Sequence, residues 1–216
     1  LAVPTRHFRS VLTSFAGLLD PGCRLVSVAK GFDPETRERM TQVAASILPG
    51  ARIAALSGPS HAEEVARGVP TAVVAASSSH EYAVEVQAVF SSGRFRVYTS
   101  EDVIGVELGG ALKNVIAIAT GISDGIGFGD NTRAALITRG MAEISRLGTA
   151  LGAKASTFAG LSGIGDLIVT CASKLSRNHT VGERLGRGET IDHILGTMKQ
   201  VAEGVGHLHH ASVLEA

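Results

Sequence analysis

The sequence predicts an α/β chain: part of a doubly wound, largely parallel sheet over residues 1–101, then an all-α domain over 102–216 that is incomplete at its C-terminus. Two observations predict this. The first hundred residues alternate short β-rich runs with amphipathic helical stretches, and from about residue 102 helix-length segments follow one another without convincing strands. The 216 residues are 44% hydrophobic and 19% charged, which marks a globular chain with a sizeable core.

A helix is expected over residues 5–19, then the strand "RLVSVAK" (24–30). "PETRERMTQVAASIL" (34–48), with Pro34 in its first turn, predicts a second helix. The strand "RIAALSG" (52–58), the helix "HAEEVARG" and the strand "TAVVAAS" (71–77) follow. "SSHEYAVEVQAVFSS" (78–92) predicts another helix, with Ser78 and Ser79 supplying its N-cap, and "FRVYTS" (95–100) is the last strand. Beyond it, helices are expected over 102–121, 131–151, 163–173, 180–187 and 190–199, with Thr180 and Glu183 forming a capping box.

Twenty Lys and Arg balance twenty Asp and Glu, which argues against a general nucleic-acid binder. The longest apolar runs fall short of the roughly 20 residues of a membrane span, and no signal segment opens the chain, so it reads as soluble. Cys23 and Cys171 lie far apart and read as reduced core thiols of a cytosolic protein. His207, His209 and His210 fit no standard metal motif, and no metal site is expected. The start "LAVPTRHF", without Met, reads as a chain cut into a domain.

One lysine interrupts the apolar run "LGGALKNVIAI" (108–118): Lys113, with Gly109, Gly110, Ile116 and Ala117 one helical turn away. Small residues on that face leave room either for a ligand above the lysine or for a helix packing closely while Lys113 snorkels to water. Lys30, at the carboxyl end of a strand, either points into the crevice where such sheets bind ligands or is simply solvated. "LSGPSHAEEV" places Gly58 and Ser60 in a strand-to-helix turn, where they can hold a polar ligand or merely cap. Asp166 opens an apolar helix, as a cap or as a partner for a lysine. Ser176, Arg177 and Asn178 stand in a row before a helix and suit a phosphate or carboxylate, or a solvated loop. "GIGFG" and "GIGDLI" do not complete G-x-G-x-x-G, so a dinucleotide-binding turn is expected before Leu1.

Taken together, "VAKGF", "LSGPSHAEEVARGVPTAVV", "FRVYTSEDVIGVELGGALKNVIAIATGISDGIGFGDNTRAALITRGMAEI", "GLSGIGDLIVTC" and "SRNHTVGERLGRG" resemble the bacterial NAD(P)-dependent glycerol-3-phosphate dehydrogenases over roughly residues 1 to 205. The resemblance implies a Rossmann-like cofactor domain and reduction of dihydroxyacetone phosphate to sn-glycerol 3-phosphate with NADPH or NADH, for phospholipid synthesis in the cytoplasm. By the same resemblance Lys113 is the catalytic lysine, and Lys30, Gly58, Ser60, Asp166, Ser176, Arg177 and Asn178 join it in binding substrate. Lys30, Ala62, Arg177, Val201 and Glu203 fall at cofactor positions. Gly109, Gly110 and Ala117 would then leave room for a three-carbon substrate, and Gly110→Val is expected to cut activity with little loss of fold. Family analogy adds a homodimer. The rival readings are a 3-hydroxyacid or 6-phosphogluconate type of dehydrogenase, and a non-catalytic fragment that binds phosphorylated metabolites.

Overall fold

The computed structural model describes residues 1–198 and Gly204. The four β-rich runs become β1 (Arg24–Ser27), β2 (Arg52–Ser57), β3 (Thr71–Ala76) and β4 (Phe95–Ser100), in that order in one sheet. β1 pairs parallel with β2, and β3 with β4, but β2 and β3 are antiparallel, with Leu56 opposite Ala75. The expected largely parallel sheet is therefore mixed. A parallel return needs a crossover long enough to cover the sheet. The β2–β3 connection carries only α3 (Ala62–Ala66), five residues with none buried, so the chain re-enters at the end it left.

The sheet is covered on both faces, as a doubly wound fold requires. Phe8 and Leu12 of α1 (Thr5–Ala16) and Met40 and Val43 of α2 (Met40–Ile47) pack beside Leu25 and Ile53. Tyr82 and Val86 of α4 (His80–Phe90) pack with the alternate residues Val26, Ala54 and Leu56. Ser79 caps α4, its Oγ accepting from the Tyr82 N–H at 3.2 Å. The helix expected over 34–48 begins only at Met40. Asp33 Oδ1 instead accepts from the N–H groups of Glu35 and Thr36 at 3.1 and 2.9 Å, a local turn that competes with helix.

After Asp102, whose Oδ1 accepts from the Gly105 N–H at 2.9 Å, the chain enters α5 (Val103–Ile126), the axis of the helical part. Around it lie α6 (Asp130–Ala150), α7 (Ala155–Phe158), a π-helical turn at Leu161–Gly165, α8 (Asp166–Ala172), α9 (Arg177–Gly186) and α10 (Ile191–Thr197). Against the reading of the apolar runs as too short, α5 (Val103–Ile126) and the helical stretch Ala155–Ala172 are long and apolar enough to cross a membrane by length and composition. Two-thirds of α5's apolar window is nonetheless buried against the rest of the fold, as a core helix requires.

α9 starts three residues earlier than expected. Ser176 is its cap, accepting from the His179 N–H at 3.2 Å, and Thr180 donates back to the Ser176 carbonyl instead of forming a capping box. The two helices meet backbone to backbone through glycines four apart on each. A Cβ added at Gly121 would lie 2.2 Å from the His179 carbonyl oxygen, and one at Gly182 would lie 2.1 Å from that of Ile118. Gly182→Ala therefore loses stability although alanine favours helix by about 1 kcal/mol, because overpacking against rigid backbone costs about 1–3 kcal/mol or more. Urea unfolding measures the difference; an unchanged midpoint would mean that the two helices part easily.

Candidate active site

Glycine spacing on α5 places the site. Gly109 lies one turn before Lys113, and a Cβ there would stand 2.3 Å from the Ser162 carbonyl oxygen. Its absence lets the Leu161–Gly165 turn lie directly on α5 and delivers Asp166, the first residue of α8, over Lys113. A Cβ at Gly110 would meet Ser57 Oγ at 2.8 Å and Lys30 Cγ at 3.4 Å. Ala117 is buried against Leu167 and Cys171. Protein atoms thus lie where side chains at Gly109 and Gly110 would stand, which favours the close-packing alternative over room left for a ligand. Gly110→Val would displace Lys30 and disturb the fold as well as the site.

Lys113 is 6% exposed and does not snorkel. Its Nζ donates to Asp166 Oδ1 and, at 2.8 Å, to Thr170 Oγ1. Lys30 reaches the same carboxylate from the α/β side, donating to Asp166 Oδ2 at 2.7 Å and to the Gly58 carbonyl at 2.8 Å. One buried carboxylate thus holds two ammonium groups. Burial, and after it the neighbouring Lys30 charge, push the Lys113 ammonium down to about 7 against the opposing pull of Asp166. Burial works to raise the Asp166 carboxyl, but the two lysines outweigh it and hold it below its usual range.

The sign of the pH effect follows. Below pH about 7 Lys113 is protonated in both the folded and unfolded chain, and its desolvation cost is fully present. Between about 7 and the ordinary lysine value of about 10.4, the unfolded chain binds the proton and the folded one does not, so this group makes the fold more stable as pH rises. Denaturant midpoints from pH 6.5 to 9.5 should rise in wild type relative to Lys113→Met. Parallel curves would place the lysine in a solvated setting.

Ser60 lies in the same turn, its hydroxyl donating to the Gly58 carbonyl at 2.9 Å. Gly58 has φ 140°, and a Cβ there would stand 3.0 Å from the Val73 Cα, so the turn needs glycine. Ala62 opens α3 and is exposed. Ser176, Arg177 and Asn178 form the start of α9, without hydrogen bonds to the lysine pair. Asn178 is buried and accepts from the Gly204 N–H at 3.0 Å, beside the Asn114 carbonyl. Arg177 is exposed. Val201, Glu203 and the three C-terminal histidines lie outside the described residues. Both cysteines are free, with Cys171 buried and Cys23 partly so, and among the described residues no group of His, Cys, Asp and Glu gathers to hold a metal.

Two features escaped the sequence reading. Thr170 follows Asp166 by four residues on the same face of α8, a spacing that marks it once Asp166 is chosen. Glu107 is buried and ties α5 to the start of α2, accepting from Arg39 Nη1 at 2.5 Å, the Thr41 N–H at 2.9 Å and the Thr41 hydroxyl at 2.6 Å. Sixty-six or more residues separate these partners, so no local pattern announces them.

A sheet domain joined to a helical domain, with a buried lysine–carboxylate–lysine centre at the join, defines a class of two-domain α/β plus all-α proteins. Comparison narrows it. Family models described as the NAD-dependent glycerol-3-phosphate dehydrogenase N-terminus and C-terminus match residues 1–83 and 102–215. The chain belongs to the NAD-dependent glycerol-3-phosphate dehydrogenase family. It is 58% identical over 208 residues to a glycerol-3-phosphate dehydrogenase (NAD(P)+) of Geobacter metallireducens, covering 95% of this chain and 62% of that protein. A Moorella thermoacetica protein of the same name is 56% identical over 206 residues, covering 95% and 61%. The crystal structure of glycerol-3-phosphate dehydrogenase from Coxiella burnetii superposes with a TM-score of 0.94 at 40% identity, over 99% of this chain and 65% of that one. The chain thus spans about three-fifths of the length of the relatives it matches.

Proposed function

We propose that the protein reduces dihydroxyacetone phosphate to sn-glycerol 3-phosphate, reversibly, with NADPH or NADH. This chain then carries the proton-transfer centre and most of the substrate site, with a domain boundary near residue 101. The observation that carries the reading is the sharing of Asp166 between Lys113 and Lys30. The names of the relatives supply the substrate and cofactor.

Hydride addition to a ketone leaves negative charge on oxygen, and an ammonium close to that oxygen stabilises the charge and donates the proton. Lys113 is suited to this, because a group poised near 7 gives up and regains its proton with little bias at neutral pH. Asp166 holds its Nζ in place, with Thr170 as a second anchor. Lys30 and Arg177 supply positive charge for the phosphate, and Ser176 and Asn178 supply hydrogen bonds. In the oxidation direction Lys113 takes up the hydroxyl proton.

The dinucleotide, when bound, supplies the hydride. Lys30, Ala62 and Arg177 are the described residues that would hold it; both cations suit its phosphates, and the exposed Ala62 leaves its approach open. A diphosphate also requires a glycine-rich turn that opens a helix, and α1, α2 and α4 are preceded by Pro4, Arg39 and Ser79. The residues present therefore fit one end of the cofactor. Product feeds glycerophospholipid synthesis in the cytoplasm, and family analogy makes the enzyme a homodimer.

Titration calorimetry of the purified chain with sn-glycerol 3-phosphate tests the reading, alongside loss of NADPH absorbance on adding dihydroxyacetone phosphate. Saturable binding of the glycerol phosphate is expected. Preference for a 3-hydroxyacid or for 6-phosphogluconate would replace this assignment with another dehydrogenase.

A further inference from the structure

Ser57 ends β2 and is 5% exposed, yet its hydroxyl has no hydrogen-bond partner. A buried hydroxyl left unpaired is destabilising, and one held beside a binding site suits a partner that a ligand supplies. Its position says which. Ser57 Oγ stands over Gly110, one turn from Lys113, and the Lys30 side chain lies across the same glycine on its way to Asp166. Ser57 also directly precedes Gly58, whose carbonyl holds the Lys30 ammonium and the Ser60 hydroxyl.

We propose that Ser57 is a further ligand contact of this site: when a three-carbon phosphate ester draws the Lys30 ammonium away from Asp166, the Lys30 stem moves off Gly110 and the Ser57 hydroxyl donates to a ligand oxygen. Ser57 is thus unsatisfied in the empty protein and satisfied in the occupied one. The inference rests on the reading of the site as a glycerol phosphate site.

A hydroxyl with a structural role and one reserved for a ligand respond oppositely to removal. Ser57→Ala deletes the oxygen without adding volume, so the empty variant should unfold at the same temperature as wild type or higher. Its affinity for sn-glycerol 3-phosphate should fall about tenfold, and the rise in Tm at a fixed ligand concentration should shrink accordingly. An equal Tm rise in variant and wild type would overturn the role of Ser57 and leave the site reading standing. A drop in the Tm of the empty variant would overturn it too, by making the hydroxyl structural. Absence of any ligand-induced rise in wild type would instead sink the glycerol phosphate reading, and the Ser57 contact with it.

Discussion

Lys113→Met should abolish dihydroxyacetone phosphate reduction while leaving the protein folded. The methionine side chain keeps most of the lysine's volume and removes only the ammonium to which we assign proton donation and stabilisation of the developing charge. General acid catalysis contributes about 10²–10⁴ in rate, and electrostatic stabilisation of an oxyanion contributes about 10²–10³ for each donor lost. A fall in kcat of about 10⁴ or more is the expected result, with KM changed far less, since Lys30 and Arg177 remain to hold the phosphate. In wild type, kcat/KM for reduction should decline as pH rises through about 7, because only the ammonium form donates, and oxidation should rise over the same range. Residual activity within tenfold of wild type would move the proton-transfer role to another residue.

Asp166→Asn should have the largest effect on stability. The carboxylate is 1% exposed and faces two ammonium groups, so neutralising it leaves the buried Lys113 and the partly buried Lys30 directed at one amide. Breaking a buried ion pair by removing one partner costs about 3–5 kcal/mol. Lys113, deprived of the charge that raises it, should lose its proton at still lower pH. Adding Lys113→Met to Asp166→Asn removes one of the stranded cations and should recover part of the lost stability, so the two changes are far from additive. Circular dichroism melts of the four proteins test this. Additive losses would show that the carboxylate stabilises the fold through Lys30 alone.

What the sequence revealed and what it hid divide along a physical line. Runs rich in Val, Ala and Ile and bounded by turn residues set the starts of the four strands, although β1 ends at Ser27, three residues before the run does. The direction of β3 was hidden, since it depends on α3 being too short to cover the sheet. Pro34 suggested a helix that Asp33 pre-empted by taking its neighbours' N–H groups. In the site, the order of Lys30, Lys113 and Asp166 along the chain was legible. That they share one carboxylate was not, because 136 residues separate Lys30 from Asp166. The glycines around Lys113 allowed either space for a ligand or close packing, and they are points of contact. A missing side chain looks the same in a sequence whether a ligand or a neighbouring backbone fills its place.

The lysine–carboxylate–lysine arrangement also has a sum. With both lysines protonated, two positive charges face one negative, leaving a surplus of one positive charge in a region largely screened from water. Such a region acts as an electrostatic well for small anions, and its depth is set by the proton on Lys113. As pH falls below about 7 the surplus becomes complete, and simple anions such as chloride or inorganic phosphate should then inhibit more strongly than at higher pH. Assays near neutrality in buffers of different anions should therefore give different rates.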